Sequence, residues 1–185
     1  VDVTTNIWGG GIVGYIASGA KIIDCYATGD ITATSTNECY VGGVCGSFYD
    51  EDGTGVVITN CYSTGLVTGT GGKWKSFVGG VSAAKSATYT NCFYIEGNVT
   101  GASPSKGMTG KGEAKTIDEL KALAATLGSS FKADTANINN GYPVLVWQAG
   151  GACQHVDANN DHKCDICDKV LTECADTNKD HKCDV

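Results

Sequence analysis

Val41-Gly42-Gly43-Val44-Cys45-Gly46 opens a phrase that closes, after an intervening stretch, with Asn60-Cys61-Tyr62-Ser63-Thr64-Gly65-Leu66-Val67-Thr68-Gly69. The phrase occurs earlier as Gly10-Gly11-Ile12-Val13-Gly14 with Cys25-Tyr26-Ala27-Thr28-Gly29-Asp30-Ile31-Thr32. It returns later as Val78-Gly79-Gly80-Val81 with Asn91-Cys92-Phe93-Tyr94 and Gly97-Asn98-Val99-Thr100-Gly101. Cys25 and Cys61 are 36 residues apart and Cys61 and Cys92 are 31 apart, so fixed phrases alternate with a connection of variable length. Short runs rich in Val, Ile, Thr and Tyr, such as Ile22-Ile23-Asp24-Cys25-Tyr26 and Val56-Val57-Ile58-Thr59-Asn60-Cys61-Tyr62, are bounded by Gly and Asn, the pattern of strands with turn punctuation. Repeated units of this kind bury their apolar faces by stacking, which predicts a mainly β chain built as a β-solenoid over residues 1–101.

Working outward, the glycine pairs supply tight turns and close backbone approach. Cys25, Cys61 and Cys92 occupy equivalent places and are expected to stack as buried free thiols, with disulfides or a metal site as the alternatives. Cys39 and Cys45 lie outside that column; they could pair if a bend lies between them, whereas one straight strand would hold them about 20 Å apart. Asp2-Val3-Thr4-Thr5 matches Asp30-Ile31-Thr32-Ala33, which suggests a unit already under way and a longer repetitive protein.

The phrase Gly-Gly-Val-x-Gly followed by Asn-Cys-Tyr-Ser-Thr-Gly-x-Val resembles the GLUG repeat of bacterial surface proteins, adhesins and the non-catalytic parts of IgA peptidases. The third copy departs from it at Ser82-Ala83 and Tyr94-Ile95-Glu96. The resemblance implies a non-catalytic extracellular scaffold or adhesin segment at a bacterial cell surface, with an accessory, glycan-binding or substrate-binding region of a secreted enzyme as the alternative.

Residues 102–150 read as linker, helix and cap. Thr116-Ile117-Asp118-Glu119 has the form of a capping box, and Leu120, Leu123, Ala124 and Leu127 follow at helical spacing up to Gly128. This predicts a helix over 117–127. Gly141-Tyr142-Pro143-Val144-Leu145-Val146-Trp147 then predicts one last apolar strand, and the two elements together would cover an exposed last rung.

Residues 151–185 change composition. Asp157-Ala158-Asn159-Asn160-Asp161-His162-Lys163-Cys164-Asp165 recurs 19 residues later as Asp176-Thr177-Asn178-Lys179-Asp180-His181-Lys182-Cys183-Asp184. Side-chain oxygens at Asp157, Asn159, Asp161, Asp165 and Asp168, with the Lys163 carbonyl, fall at the spacing of a Ca²⁺ loop. The second unit offers Asp176, Asn178, Asp180 and Asp184, with the Lys182 carbonyl. The pattern resembles dockerin loops and thrombospondin type 3 repeats, although His162 and His181 stand where a calcium loop has glycine. Cys153, His155, Cys164 and Cys167 make Zn²⁺ the competing reading, and with Cys174 and Cys183 these cysteines could instead form disulfides. Five cysteines in so short a stretch point to an oxidising, extracellular setting.

The chain has 185 residues, a formal charge of -7 and 13 basic residues, none of them Arg. Arg dominates bidentate base recognition and an acidic chain repels phosphate, so nucleic acid is an improbable partner. No apolar run reaches the roughly 18 residues of a membrane span. Adjacent acids at Asp50-Glu51-Asp52 read as a solvated loop, and all three His lie in the tail, leaving no Ser-His or Cys-His pairing among the repeats. The chain is therefore read as non-catalytic. Trp8, Tyr49, Trp74 and Tyr94 are candidates either for core or for stacking on sugar rings, and an open repeat edge could self-associate into a filament.

Overall fold

The computed structural model describes residues 2–3, 5–48, 55–71, 75–83, 87–100 and 112–149. These are mainly β. The first unit runs through β2 (Ile7–Gly10), β3 (Val13–Ile16), β4 (Lys21–Ala27) and β5 (Ile31–Ser35), and is preceded by β1 (Asp2–Val3). The second comprises β6 (Glu38–Gly42), β7 (Cys45–Phe48), β8 (Val57–Ser63) and β9 (Val67–Gly71). The third has β10 (Lys75–Gly79), β11 (Thr88–Ile95) and β12 (Val99–Thr100).

Equivalent strands pair in parallel. The ladders run β1-β5-β9-β12, β10-β6-β2, β3-β7 and β11-β8-β4. Register places like upon like: Trp8 beside Tyr40 beside Phe77, and Cys25 beside Cys61 beside Cys92. The variable connections lie between ladders, so an interval of 36 or 31 residues leaves the register intact. In the third unit the described residues continue the β3-β7 ladder as a bridge between Cys45 and Ser82, where the sequence departs from the repeat.

The glycine pair explains the turn between the first two strands of each unit. A Cβ on Gly10, Gly42 or Gly79 would fall less than 3.0 Å from the carbonyl oxygen three residues on, that of Val13, Cys45 or Ser82. The second glycine faces the neighbouring unit. Gly11 N–H donates to Gly43 C=O at 3.1 Å, Gly43 N–H to Gly80 C=O at 3.1 Å, and a Cβ on Gly11 or Gly43 would collide with those same carbonyls.

Two buried clusters fill the inside of the stack. One gathers Ile22, Val44, Cys45, Val56, Ile58, Cys61, Val81 and Cys92; the other gathers Ala33, Cys39, Val41, Val67 and Val78. Cys39 and Cys45 lie on different strands and in different clusters, and the five described cysteines are free thiols.

The segment 112–149 departs from expectation. β13 (Glu113–Lys115) adds in parallel to β11 at Phe93–Ile95, and the capping box forms, with Thr116 N–H donating to Glu119 Oε2 at 2.9 Å and Glu119 N–H to Thr116 Oγ1 at 3.3 Å. The helix expected over 117–127 is shorter: α1 covers Ile117–Lys121. Ala122 N–H is shared among several carbonyls and Leu123 N–H bonds to Leu120 C=O, so the winding tightens into turns as far as Gly128, which takes φ +97. The last strand is shorter as well. β14 (Phe131–Lys132) pairs antiparallel with β15 (Val144–Leu145), and Val146 already starts α2 (Val146–Ala149), leaving Trp147 exposed. Rather than only covering the last unit, this segment lies along the side of the stack. Leu120, Leu127 and Phe131 pack with Tyr62, Phe93 and Ile95, and Tyr26 of the first unit borders the same cluster.

Replacing Gly42 by Ala drives a Cβ into backbone and should cost about 1–3 kcal/mol, as overpacking typically does. Gly29→Ala, with nothing within 4 Å of the new atom, should leave the urea midpoint nearly unchanged.

Candidate functional site

What recurs in this molecule is a set of side-chain columns, and they are the candidate site. Each strand of the β4-β8-β11 ladder carries one residue in the left-handed region: Asp24 at φ 54, Asn60 at φ 52 and Asn91 at φ 48. Pairing is interrupted at these residues and resumes after them, as Ile23↔Thr59 is followed by Cys25↔Cys61. Asn and Asp tolerate this backbone better than other non-glycine residues. The extra residue shifts the in-out alternation by one, which returns the cysteines to the interior and turns Tyr26, Tyr62 and Phe93 outward.

The side chains at the shift form a ladder of their own. Asn91 Nδ2 donates to Asn60 Oδ1 at 3.0 Å, and Asn60 Nδ2 to Asp24 Oδ1 at 2.8 Å. The second Asp24 oxygen accepts from Ser130 Oγ at 2.6 Å. A carboxylate only accepts, so Asp24 fixes the direction in which both amides point.

Beside this ladder runs the thiol column. Cys61 Sγ donates to Ile22 C=O at 3.7 Å and Cys92 Sγ to Ile58 C=O at 3.2 Å, each bonding to the preceding unit next to the interrupted pairing. The contact with Cys92, followed by burial, pushes the Cys61 thiol up. Burial pushes Cys39 up to about 11 and Cys45 up to about 12. Cys92 shifts the other way, its thiol held down by the contact with Cys61, so the column shares its protons unevenly.

Two aromatic columns flank the core. Trp8, Tyr40 and Phe77 stack with ring centroids 6.2 and 4.9 Å apart at 10° and 16°, and Tyr15 meets Trp8 edge-on at 5.3 Å. Trp8 ends this column 40% exposed, whereas Tyr94 packs against the core. Tyr26 and Tyr62 stack at 5.1 Å and 3° under segment 112–149. The Tyr62 hydroxyl donates to Pro143 C=O and accepts from Asn139 Nδ2 at 2.8 Å, and Tyr26 donates to Gln148 Oε1 at 2.9 Å. Nearby, the Asp134 carboxylate ties a loop by accepting from Ile138, Asn139 and Gly141 N–H. Desolvation would raise its pKa, but the N–H donors of Asn139, Gly141, Ile138 and Asn137 outweigh it and hold it below the ordinary range.

Every residue anticipated for the tail, the calcium set and the cysteine and histidine set alike, lies outside the described residues, as do Tyr49, Asp50, Glu51, Asp52 and Trp74. Among the described residues no group of three His, Cys, Asp or Glu is placed to hold a metal, and no helix is long and apolar enough to cross a membrane. A cleft of about 370 Å³ opens between Tyr89, Asn91, Cys92, Phe93, Gly112 and Glu113. Its carboxylate, Glu113, is paired with Lys115 at 2.6 Å. The Asp24–Asn60–Asn91 column was not anticipated, although an Asx residue directly before each repeat cysteine was its visible signal.

The family model of the GLUG motif matches residues 9–32, from β2 through the shift at Asp24 into β5. No curated protein matches the chain, and no solved structure does.

Tyr62→Phe removes both hydroxyl bonds and should destabilise the fold by about 1–2 kcal/mol in urea titration. Because the Asp134 pKa is lowered on folding, its contribution is present above the ordinary carboxylate range near pH 4 and is lost as pH falls through the lower folded value. The hydrogen-exchange protection factors of Ile138 and Gly141, taken relative to the intrinsic rate at each pH, should therefore fall below about pH 4, and Asp134→Asn should flatten that dependence.

Proposed function

We propose that this chain is a segment of an extracellular scaffold or adhesin at a bacterial surface, with its GLUG-type units stacked as a β-solenoid. The observation that carries this reading is the in-register columns. The recurring thiol, amide, aromatic and glycine residues are spent on their own equivalents in the neighbouring unit, which is how a structural repeat uses its sequence. The GLUG motif match supports the surface setting. Antibodies against the purified chain should label intact source cells; labelling only after permeabilisation would overturn the proposal.

The tail contributes a calcium-binding appendage in this reading. Asp157, Asn159, Asp161, Asp165 and Asp168 with the Lys163 carbonyl would hold one Ca²⁺, and the unit beginning at Asp176 repeats the arrangement. Extracellular calcium is plentiful enough to fill loops of modest affinity. Calorimetry on the full chain should show calcium binding that Asp157→Ala and Asp161→Ala remove. Binding of Zn²⁺ alone, lost on replacing Cys164 and Cys167, would assign the tail to the tetrahedral Cys/His set instead.

A further inference from the structure

We infer that the face formed by the free edges of β2, β3 and β4 takes one further repeat of this same type, and that Asp24 selects it by requiring a hydrogen-bond donor at the ladder position. This rests on the stacked-repeat reading and adds the rule by which a unit is accepted.

The face continues an interface the molecule already makes twice. Among the described residues three ladders end on it, at β2, β3 and β4, while the fourth extends one strand further, to β1, which pairs with β5 at Asp2↔Thr34 and Val3↔Ser35. β1 thus occupies one position of the layer beyond β2–β4. The face carries exposed apolar side chains: Trp8 is 40% exposed, Ile12 49% and Ile23 47%. Register specifies what covers them: an aromatic ring upon Trp8, a glycine backbone upon Gly10 and a small or thiol side chain upon Cys25, the arrangement found between β2 and β6 and between β4 and β8.

Asp24 adds the selectivity. Within the molecule both asparagine amides point toward it, Asn60 directly and Asn91 through Asn60. A unit arriving from the other side meets the same carboxylate, whose two oxygens already accept from Asn60 and Ser130 and whose remaining lone pairs can take a further donor. An asparagine there, with no neighbour above it, turns its NH₂ toward Asp24 and continues the ladder in reversed direction. An aspartate there sets carboxylate upon carboxylate in adjacent strands, about 4.8 Å apart, and is disfavoured relative to asparagine.

The test extends the full chain by one unit. Asp2 aligns with Thr34 and Thr34 with Thr70, so a copy of residues 37–68 placed ahead of Val1 keeps register. Two versions are compared, one with Asn60 retained in the added copy and one with Asn60→Asp in the added copy. The readout is alkylation of Cys25, which is half-buried in the unextended chain, followed by peptide mapping. With asparagine, Cys25 should label about tenfold more slowly than in the unextended chain, the protection expected of a stably covered site, and the melting temperature should rise. With aspartate, labelling should return to the unextended rate. Equal protection by both versions would overturn the selection rule. Protection by neither, or light scattering that shows the unextended chain covering this face with a second copy, would overturn the assignment of the face. Surface labelling of cells reads the scaffold proposal separately and does not depend on any of these results.

Discussion

Parallel stacking in register sets each residue above its own equivalent at about 4.8 Å. The rest of the molecule follows from that constraint. Such a column tolerates only chemistry that is compatible with itself. Flat rings stack, thiols donate to the carbonyl of the unit before, amides both give and accept, and glycines let backbones meet. Like charges are not compatible, and the described interior columns are correspondingly neutral apart from Asp24, which stands at one end of its ladder with two donors upon it. The acidic residues of the chain are concentrated elsewhere, most densely after residue 156.

This is also why the strands were readable from the sequence. Residues that must match themselves recur visibly, and the runs ending in Cys-Tyr mark β4 and β8 to within a residue at each end, whereas the Val-Gly-Gly phrase marks the turn after β6 and not the extent of that strand. The unequal intervals of 36 and 31 residues did no harm, because length is absorbed between ladders. The asparagine ladder was less legible. Its residues stand in plain view before each cysteine, but a left-handed residue inside a strand defeats simple alternation, and Asn beside Cys reads as punctuation.

Segment 112–149 was legible only locally. The capping box is a matter of four adjacent residues and forms as its spacing dictates. Where the segment lies is decided instead by Ser130 upon Asp24, Gln148 upon Tyr26 and Pro143 upon Tyr62, partners separated by 106, 122 and 81 residues, and nothing periodic announces such contacts. The same docking explains the shortened helix and strand. The chain winds tightly after Lys121 to bring Leu127 and Phe131 onto the outward tyrosines, and it turns again at Val146 to bring Gln148 to Tyr26.

Those long-range contacts bear on how the molecule is made. A stack of repeats can form unit by unit as it leaves the ribosome, each new strand laid upon the last. Tyr26 belongs to the first unit, yet its hydroxyl has to wait for Gln148, and Asp24 for Ser130. Until then the outward face that carries Tyr26, Tyr62 and Phe93 lacks the side chains that pack on it in the finished fold. Synthesis order and completion order are therefore opposed, because Asp24 and Tyr26 find these partners in residues made more than a hundred positions afterwards.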